Sequence, residues 1–402
     1  MTRRVVITGL GPVASTGIGV EAFAGALRAG TSGISQVRSF DTTGFRTHRA
    51  GEVHDFDASD HLHRLDPAGW GRSSQFAAAA ARLAFTDAGA DRAVTDPARL
   101  GVCMGTTSGE SQVMEELTAR WLAGGYPATP TGLARQVPAG RVAEAAALEL
   151  GAAGPAVTVS TACSASNYAL GYAFDAIGAG DVDFMVVGGA DSVCRFAHAG
   201  FYRLGALAED HCAPFDRDRT GVLTAEGGVG LYLESLDSAR ARDARIYCEV
   251  LGYGLTCDAQ HPTAPDAASV ARCMRLAHDD AGIKAEEVDF ICAHGTATPA
   301  NDAAEYTAVR DVFGTAPPPM SSIKSMLGHT MGAASGFSAV AGALAIHSGF
   351  LSPTINHHVT DPGMPGLDVV PNRARPAQPR VVQVNGFAFG GNNAISILGA
   401  AR

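Results

Sequence analysis

The chain has 402 residues, of which 46% are hydrophobic and 17% charged, and its formal net charge is −10. This composition is typical of a soluble, compactly packed α/β protein and argues against a disordered chain. Acidic residues outnumber basic ones by 40 to 30, which argues against nucleic-acid binding. The apolar runs are too short to cross a membrane, and the first strand begins without a signal-peptide pattern, so we expect a cytoplasmic protein with no membrane partner.

Strand-like and helix-like runs alternate through the first half of the chain. In chain order the pattern predicts a strand at 4–8, a helix at 73–88, a strand at 100–104, a helix at 139–150, a strand at 156–160, a helix at 164–177 and a strand at 184–187. The second half repeats this order with a strand at 246–252, a helix at 267–281, a strand at 290–293 and a long helix at 330–347. The alternation predicts a layered α/β fold, and the repeated order predicts a duplication with halves at 1–240 and 241–402.

The eight cysteines are scattered without paired C-x-x-C spacing, so neither a disulfide framework nor a zinc site is indicated. No glycine-rich nucleotide-binding pattern stands between a strand and a helix. The sequence therefore predicts no metal and no nucleotide cofactor. The chain contains only two lysines, Lys284 and Lys324.

One cysteine stands at the junction of a short apolar strand and an amphipathic helix, within the segment from Val159 to Ile177. On the first helical turn, Cys163 would meet unpaired N–H groups and the positive end of the helix dipole, which favour the thiolate. The small residues around it leave room for an acyl group. The alternative is that Cys163 is a buried small hydrophobic residue, as most free cysteines are.

Two histidines stand in glycine-flanked turns that follow strand-like runs, His294 in C-A-H-G-T-A-T-P and His329 in S-M-L-G-H-T-M-G. A thiolate can attack a thioester, and imidazoles can then stabilise or protonate the oxygen that develops charge. A turn histidine that binds the backbone is the alternative for each. Their position after apolar strands, where open α/β sheets place their sites, favours a catalytic role.

Three further features could support such a site. Lys324, at the end of the strand before His329, could hold the imidazoles neutral or could be an ordinary surface lysine. Glu305 begins the helix after the His294 turn and could balance Lys324 or cap that helix. The glycine-rich turn at 385–393 could bring a backbone N–H to a thioester oxygen or could close a tight hairpin.

Together these segments resemble the elongating β-ketoacyl-[acyl carrier protein] synthases of the type II class, which are condensing enzymes of the thiolase fold. The resemblance covers essentially the whole chain, in the order R-R-V-V-I-T-G-L-G, the cysteine segment, P-F-D-R-D-R-T-G-V-L-T-A-E-G-G, H-G-T-A-T-P-A-N-D, S-S-I-K-S-M-L-G-H-T-M-G-A-A and G-F-A-F-G-G-N-N. It implies a thiolase-like, five-layered αβαβα sandwich built from two duplicated halves. The set Cys-His-His resembles the elongating synthases, whereas initiating synthases carry Cys-His-Asn and thiolases carry Cys-His-Cys.

The resemblance implies an acyltransferase that performs a decarboxylative Claisen condensation of a cysteine-bound acyl chain with malonyl-acyl carrier protein. It implies Cys163 as the nucleophile, with its own N–H group as part of an oxyanion hole. His294 and His329 would donate hydrogen bonds to an enolate, and Lys324 with Glu305 would form the supporting ion pair. The acyl chains would arrive on the phosphopantetheine of the carrier, so no other cofactor is implied.

The resemblance also implies Phe389 as a gate and as the second N–H donor of the oxyanion hole. The chain departs from the family pattern in this loop, because Ala388 replaces a glycine between Phe387 and Phe389, and the added Cβ could stiffen the loop. After the strand at 100–104, Ser108 and Glu110 replace the usual glycine and branched aliphatic residues. The candidates for lining an acyl pocket that is wider or more polar than usual are Ser108, Glu110, Phe387 and Ala388.

The departures favour a type II polyketide or specialised fatty acyl pathway over housekeeping fatty acid elongation. The chain could also be a cysteine-dependent acyltransferase without elongation, or the catalytic subunit of a heterodimer with a chain-length-factor-like partner. The family pattern otherwise implies a homodimer. An acidic acyl carrier protein would need a local basic patch on this acidic chain. The candidates for that patch are Arg64, Arg72, Arg135 and Arg203.

Overall fold

The computed structural model describes residues 3–92 and 96–401. In this part of the chain the strands are β1 (Val5–Ala14), β2 (Gly17–Ile18), β3 (Ser35–Gln36), β4 (Arg49–Ala50), β5 (Leu100–Gly105), β6 (Ala156–Val159), β7 (Phe184–Asp191), β8 (Gly227–Ser235), β9 (Cys248–Cys257), β10 (Phe290–Cys292), β11 (Met320–Ser321), β12 (Phe350–Leu351), β13 (Arg375–Pro376), β14 (Val381–Phe387) and β15 (Asn392–Gly399). The α-helices are α1 (Val20–Ala29), α2 (Arg72–Asp87), α3 (Ser111–Gly124), α4 (Thr131–Ala134), α5 (Arg141–Leu150), α6 (Ala165–Ala179), α7 (Arg195–Arg203), α8 (Leu236–Ala241), α9 (Ala267–Ala281), α10 (Pro299–Phe313), α11 (Lys324–Leu327) and α12 (Ala334–Ser348). Every predicted strand and helix is present, although β1, β7 and β9 continue beyond their predicted ends. No helix of the described residues is long and apolar enough to span a membrane.

The large sheet repeats one strand order in both halves of the chain. Its first half runs β6-β5-β7-β8-β1 and its second half runs β11-β10-β14-β15-β9. In both halves the first three strands of this order are parallel and the other two pair antiparallel. An antiparallel pairing of β1 with β9, with Val5 opposite Val250, joins the halves. The predicted duplication is therefore confirmed as a repeat of topology, and the boundary after residue 240, within α8, stays a prediction.

Helices divide the molecule into five layers. The helix α6 packs on β5 and β7 of the first half and on β9 and β15 of the second, while α12 packs on β10, β14 and β8. These two helices form a central layer between the half-sheets. On the outer faces, α2 and α5 cover the first half, and α9 with α10 covers the second. This arrangement is the predicted αβαβα sandwich.

The outer helices lie very close to the sheet because glycines face them. A Cβ atom built on Gly11 of β1 would lie 2.1 Å from the carbonyl oxygen of Ala80 in α2, and one on Gly230 of β8 would lie 2.4 Å from the same oxygen. In the second half, a Cβ on Gly254 of β9 would lie 2.5 Å from the carbonyl oxygen of Cys273 in α9. The alanine-rich helix α2 therefore packs its backbone directly on the sheet.

The two central helices begin in the same way. Each has 15 residues and follows a single 3-10 turn, Ala162–Ser164 before α6 and Met331–Ala333 before α12. Each turn opens on a residue with positive φ, which is 51° at Ala162 and 52° at Met331. These two turns are equivalent positions of the duplicated fold, and both lie at the carboxyl end of strands.

Replacing Gly11 with alanine is expected to destabilise the protein, because the new methyl group would overlap the Ala80 carbonyl between two rigid elements. Overpacking of this kind costs about 1–3 kcal/mol. The matched control is Gly25→Ala in α1, where a Cβ meets no atom within 4 Å and alanine favours a helix interior by roughly 0.5–1 kcal/mol. Urea unfolding of both variants measures the difference, and equal free energies of unfolding would contradict the close contact between α2 and β1.

Candidate active site

Cys163 borders a cavity that is lined by residues from both halves of the chain. It stands on the turn between β6 and α6, and its side chain is buried, with 5% exposed. Ala162 precedes it with a φ of 51°, a backbone conformation that turns the strand sharply into the helix. The hydroxyl of Ser166 in α6 donates to the carbonyl of Gly332 at 2.6 Å and ties this turn to the start of α12. The thiol is thus held at the centre of the molecule.

Two imidazoles from the second half line the same cavity. His329 Nε2 lies 3.0 Å from Cys163 Sγ, and the ring centroids of His294 and His329 are 5.8 Å apart in an edge-to-face arrangement. His294 follows β10 directly, whereas His329 follows the one-turn helix α11 that comes after β11. The structure therefore brings together the three residues that the sequence singled out.

Hydrogen bonding assigns the tautomer of His329. The N–H group of Met331 donates to Nδ1 at 3.3 Å, so Nδ1 is an acceptor and the proton of the neutral ring is on Nε2. The Nε2 atom therefore presents an N–H group to the thiol and the cavity. His294 Nδ1 is buried without a hydrogen-bond partner in the described part of the chain.

Both imidazoles are neutral. Burial and the positive charge of Lys324 lower the pKa of His294 and that of His329 well below the ordinary value. A neutral imidazole with a protonated nitrogen can donate a hydrogen bond to an oxygen that gains negative charge. Lys324 thus helps to keep both imidazoles neutral, which is the role that the sequence suggested for it.

Lys324 and Glu305 hold the backbone of His294 from two sides. The Lys324 Nζ atom donates to the carbonyl of His294 at 2.6 Å. The Glu305 carboxylate accepts the N–H groups of His294 and Gly295, both at 2.8 Å. The expected direct ion pair is therefore corrected: the two charges bind opposite ends of the peptide group between His294 and Gly295. Both charges are buried, and the backbone dipole between them satisfies each one.

Burial opposes ionisation of the Cys163 thiol. Burial raises the pKa of Cys163 to about 12, and Lys324 and the N–H groups of Phe389 and Cys163 oppose this increase. The predicted effect of the N–H groups on the thiol is present, because they lower its pKa, but burial raises that pKa by more. The same two N–H groups lie beside the sulfur, which is the arrangement of an oxyanion hole.

Phenylalanines surround the mouth of the cavity. Phe389 is 38% exposed and stacks on Phe201, with 5.5 Å between ring centroids. Phe387 is buried, and its ring lies 5.4 Å from that of His294. Ala388 has a φ of −138°, an extended conformation that any residue adopts, so its Cβ adds no strain in this state. The loop predicted as a gate borders the cavity, and Phe201 is a neighbour that the sequence did not indicate.

Two predicted pocket residues do not line the cavity around the thiol. Glu110 is fully buried and accepts the N–H groups of Ser73 and Ser74 at 3.2 and 2.7 Å, so it caps the start of α2. Ser108 is exposed, and its N–H group donates to Asp191 at 3.2 Å. Neither residue borders the cavity around the thiol. The role predicted for Glu110 is therefore corrected to helix capping, because a buried carboxylate needs backbone donors.

Asp191, at the end of β7, is a residue beside the site that sequence reasoning missed. Its carboxylate accepts the Thr106 hydroxyl at 2.7 Å and the N–H groups of Thr107 and Gly332 at 2.8 and 2.7 Å. Burial raises the pKa of Asp191 to about 6. The carboxylate links the loop after β5 to the turn before α12, which contacts the Cys163 turn. An acidic residue at the carboxyl end of an apolar strand was the available signal.

The four arginine candidates differ in their surroundings. Arg72 donates to Glu226 at 2.6 Å and to a backbone carbonyl at 3.0 Å, so it is part of the internal structure. The other three side chains are exposed, namely Arg64, Arg135 and Arg203. Only these three therefore remain candidates for contact with an acidic partner.

Comparison with known proteins places this fold and site in one family. Residues 2–239 match the family model "Beta-ketoacyl synthase, N-terminal domain", and residues 247–358 match "Beta-ketoacyl synthase, C-terminal domain". The chain is 36% identical to the 3-oxoacyl-[acyl-carrier-protein] synthase 2 of Staphylococcus aureus (strain COL), over 98% of both chains. It is 37% identical to the protein of the same name from Synechocystis sp., over 97% of this chain and 96% of the other.

Solved structures give the same result. "The ishigamide ketosynthase/chain length factor" matches with a TM-score of 0.96 and 51% identity over all of both chains. A ketosynthase in complex with its type II PKS acyl-carrier protein, AntDE:AntF, matches with a TM-score of 0.92 and 32% identity, again over all of both chains. The fold and the site define an acyltransferase of the thiolase-like condensing class. Within that class, the chain belongs to the β-ketoacyl synthase family.

Lys324→Met is expected to slow the alkylation of Cys163 by iodoacetamide about tenfold at pH 8, because a rise of one pKa unit lowers the thiolate fraction tenfold. The lost charge is one of the groups that lower the pKa of this thiol. In the wild type the rate should rise throughout pH 6 to 9, since the thiol pKa is raised. Mass spectrometry of the peptide that contains Cys163 gives the rates, because the exposed Cys257 also reacts.

The control for this experiment is Lys284→Met, which removes the only other lysine of the chain from an exposed position. Its alkylation rate should equal that of the wild type, because Lys284 does not contribute to the pKa shift of the thiol. Equal slowing in both variants, or an unchanged rate in Lys324→Met, would contradict the electrostatic role of Lys324.

Proposed function

We propose that the protein catalyses a decarboxylative Claisen condensation between an acyl chain on Cys163 and malonyl-acyl carrier protein. The observation that carries this proposal is the 3.0 Å approach of His329 Nε2 to Cys163 Sγ, with His294 on the same cavity. Simple acyl transfer needs one base beside its nucleophile. Two neutral imidazoles suit an enolate, because they can donate hydrogen bonds to its oxygen.

In the first half-reaction the acyl thioester of the carrier exchanges with the thiol of Cys163. The sulfur attacks the carbonyl carbon, and the N–H groups of Cys163 and Phe389 stabilise the oxyanion. The carbonyl re-forms as the carrier sulfur leaves. The proton lost by Cys163 ends on the carrier thiol, so the exchange consumes no net acid or base.

In the second half-reaction a malonyl-carrier occupies the cavity. Loss of CO2 breaks the bond between the carboxylate and C2 and leaves the electron pair as an enolate. His294 and His329 donate to the enolate oxygen, and as neutral imidazoles they are poor acids that do not protonate the carbanion. The carbanion attacks the acyl thioester, and the Cys163 thiolate leaves and takes a proton from water. The product is a β-ketoacyl-carrier two carbons longer.

We further propose an acyl carrier protein as the partner and a type II polyketide or specialised fatty acyl pathway. The support is the 51% identity to a ketosynthase/chain length factor and the likeness to a ketosynthase in complex with its carrier. The same likeness supports a heterodimer with a chain-length-factor-like subunit over the homodimer. An acidic carrier would meet the exposed side chains of Arg64, Arg135 and Arg203. The proposal includes a cytoplasmic location and no metal or nucleotide cofactor.

Housekeeping fatty acid elongation is the second candidate function. The 36% identity to 3-oxoacyl-[acyl-carrier-protein] synthase 2 over nearly the whole chain favours it. The chemistry would be the same, and only the acyl chain would differ. Elongation rates with saturated, unsaturated and β-keto acyl-carriers separate the two, because a preference for the saturated primer would favour fatty acid elongation.

Two substitutions should separate the half-reactions. Cys163→Ala is expected to abolish acylation of the protein, because no thiol remains. His329→Ala is expected to retain acylation while CO2 release from malonyl-carrier falls about 10²–10³-fold, the usual cost of losing one donor to an oxyanion. Intact-protein mass spectrometry measures acylation, and labelled malonyl-carrier measures CO2.

The decisive control is the wild-type protein, alone and co-expressed with a chain-length-factor-like subunit. If neither preparation releases CO2 with any acyl primer, the condensing function is refuted and simple acyl transfer remains. Acylation that survives Cys163→Ala would refute the assignment of the nucleophile.

A further inference from the structure

A chain of buried polar side chains runs from the His294 clamp to the outer helix α9. Asn385 Nδ2 donates to Glu305 Oε1 at 2.8 Å, and Gln383 Nε2 donates to Asn385 Oδ1 at 2.8 Å. His278 Nε2 lies 2.7 Å from Gln383 Oε1. The first three side chains have no exposed surface, and His278 is 5% exposed. The site is therefore connected by hydrogen bonds to a helix that does not border the cavity.

One acceptor sets the direction of every bond in this chain. The Glu305 carboxylate already accepts two backbone N–H groups, so Asn385 must present its NH2 group to it. The Asn385 carbonyl then faces Gln383, whose NH2 group donates to it and whose carbonyl faces α9. Only a protonated Nε2 on His278 can donate to that carbonyl. All three donors therefore point toward Glu305, and each bond polarises the next.

The fold does not require polar residues at these positions. In β14, Val382 and Val384 pack in the core around α12, whereas Gln383 and Asn385 bind side chains of the outer helices α9 and α10. The equivalent strand of the first half, β7, reads F-M-V-V-G-G-A-D and is apolar until its last residue. Buried amides in the middle of a sheet are unfavourable unless they are bonded. The bonds that satisfy Gln383 and Asn385 therefore point to a use beyond packing.

We propose that His278, Gln383 and Asn385 are positioning residues, which orient and polarise Glu305 so that it holds the His294 peptide and aims the imidazole at the enolate. The inference rests on the proposed condensing function and adds these three residues to its machinery. None of them borders the cavity, so they act only through the backbone of His294.

The charges around Glu305 determine how its pKa should change when the hydrogen bonds from His278 to Glu305 are broken. Burial raises the pKa of Glu305, and the Asn385 amide, the N–H groups of His294 and Gly295 and the charge of Lys324 oppose the rise. A further charged neighbour is Asp302, one turn away in α10. Without the Asn385 bond the carboxylate would be protonated at a higher pH. The ionised form is present above the pKa and is lost as pH falls through it. The acid limb of the activity profile should therefore move to higher pH.

The experiment is the pH dependence of condensation, measured with malonyl-carrier and the full-length protein together with its partner subunit if one is needed. His278→Leu removes the donor to the Gln383 carbonyl and so weakens the polarised bond from Asn385 to Glu305. It is expected to move the acid limb of kcat to higher pH by up to about one unit, the limit set by complete loss of a hydrogen bond to a charged group, with KM for malonyl-carrier unchanged. His278→Gln, whose amide can donate to the same carbonyl, should restore the wild-type profile. His211→Leu, at an exposed histidine, should leave the profile unchanged.

A double variant separates positioning from packing. His278→Leu with Gln383→Leu replaces a broken polar pair by an apolar pair, so Tm should return to the wild-type value. The positioning role predicts that the acid limb stays displaced in this variant, because Asn385 has now lost its donor Gln383. An acid limb that recovers together with Tm would overturn the inference.

The remaining outcomes distinguish this inference from the proposed function. If the wild type condenses and both leucine variants share its pH profile, only the inference is overturned. If the wild type releases no CO2, the proposed function fails. A crystal structure of His278→Leu then tests the hydrogen-bonded row of side chains from His278 to Glu305. An Asn385 amide displaced from Glu305 would support the inference, and an unmoved Asn385 and His294 would overturn it.

Discussion

The contact between α6 and α12 at the centre of the molecule determines where the site forms. Ser166 donates to the Gly332 carbonyl at 2.6 Å, and the Asn167 N–H group donates to the Ser335 hydroxyl at 3.1 Å. These bonds join the starts of the two helices, and each helix belongs to a different half. The thiol of one half and the imidazoles of the other therefore meet on one cavity. A duplicated fold builds a single site because its halves meet at these turns.

The two equivalent turns have diverged in chemistry. One carries Cys163, and the other carries Gly332 at the corresponding place after a residue of positive φ. A Cβ on Gly332 would lie 2.5 Å from the Cα atom of Thr106, so no side chain fits there. The Gly332 N–H group donates instead to Asp191. One turn thus presents the nucleophile, while the other anchors the interface that supports it.

A single buried charge acts on both parts of the site. Lys324 opposes the effect of burial at Cys163, where it lowers the pKa of the thiol, and adds to the effect of burial at His294 and His329, where it keeps the rings neutral. The same ammonium is satisfied by the His294 carbonyl. A positive charge favours thiolate over thiol and imidazole over imidazolium for the same electrostatic reason. Glu305 counters this charge across one peptide group, which lets both remain buried.

The sequence by itself determined the strands and helices with a clear period, the duplication and the three residues that meet on the cavity, because periodicity and glycine-flanked turns are local signals. It did not indicate β8 in the middle of the large sheet. Only the tertiary structure decided how buried charges are satisfied, since their partners come from distant parts of the chain. Glu110 accepts the N–H group of Ser74, which lies 36 residues before it, and His278 reaches Gln383 across 105 residues. The state of the Cys163 thiol also depends on tertiary structure. A local pattern reveals the helix dipole, but burial, which outweighs it, exists only once both halves have packed around the sulfur.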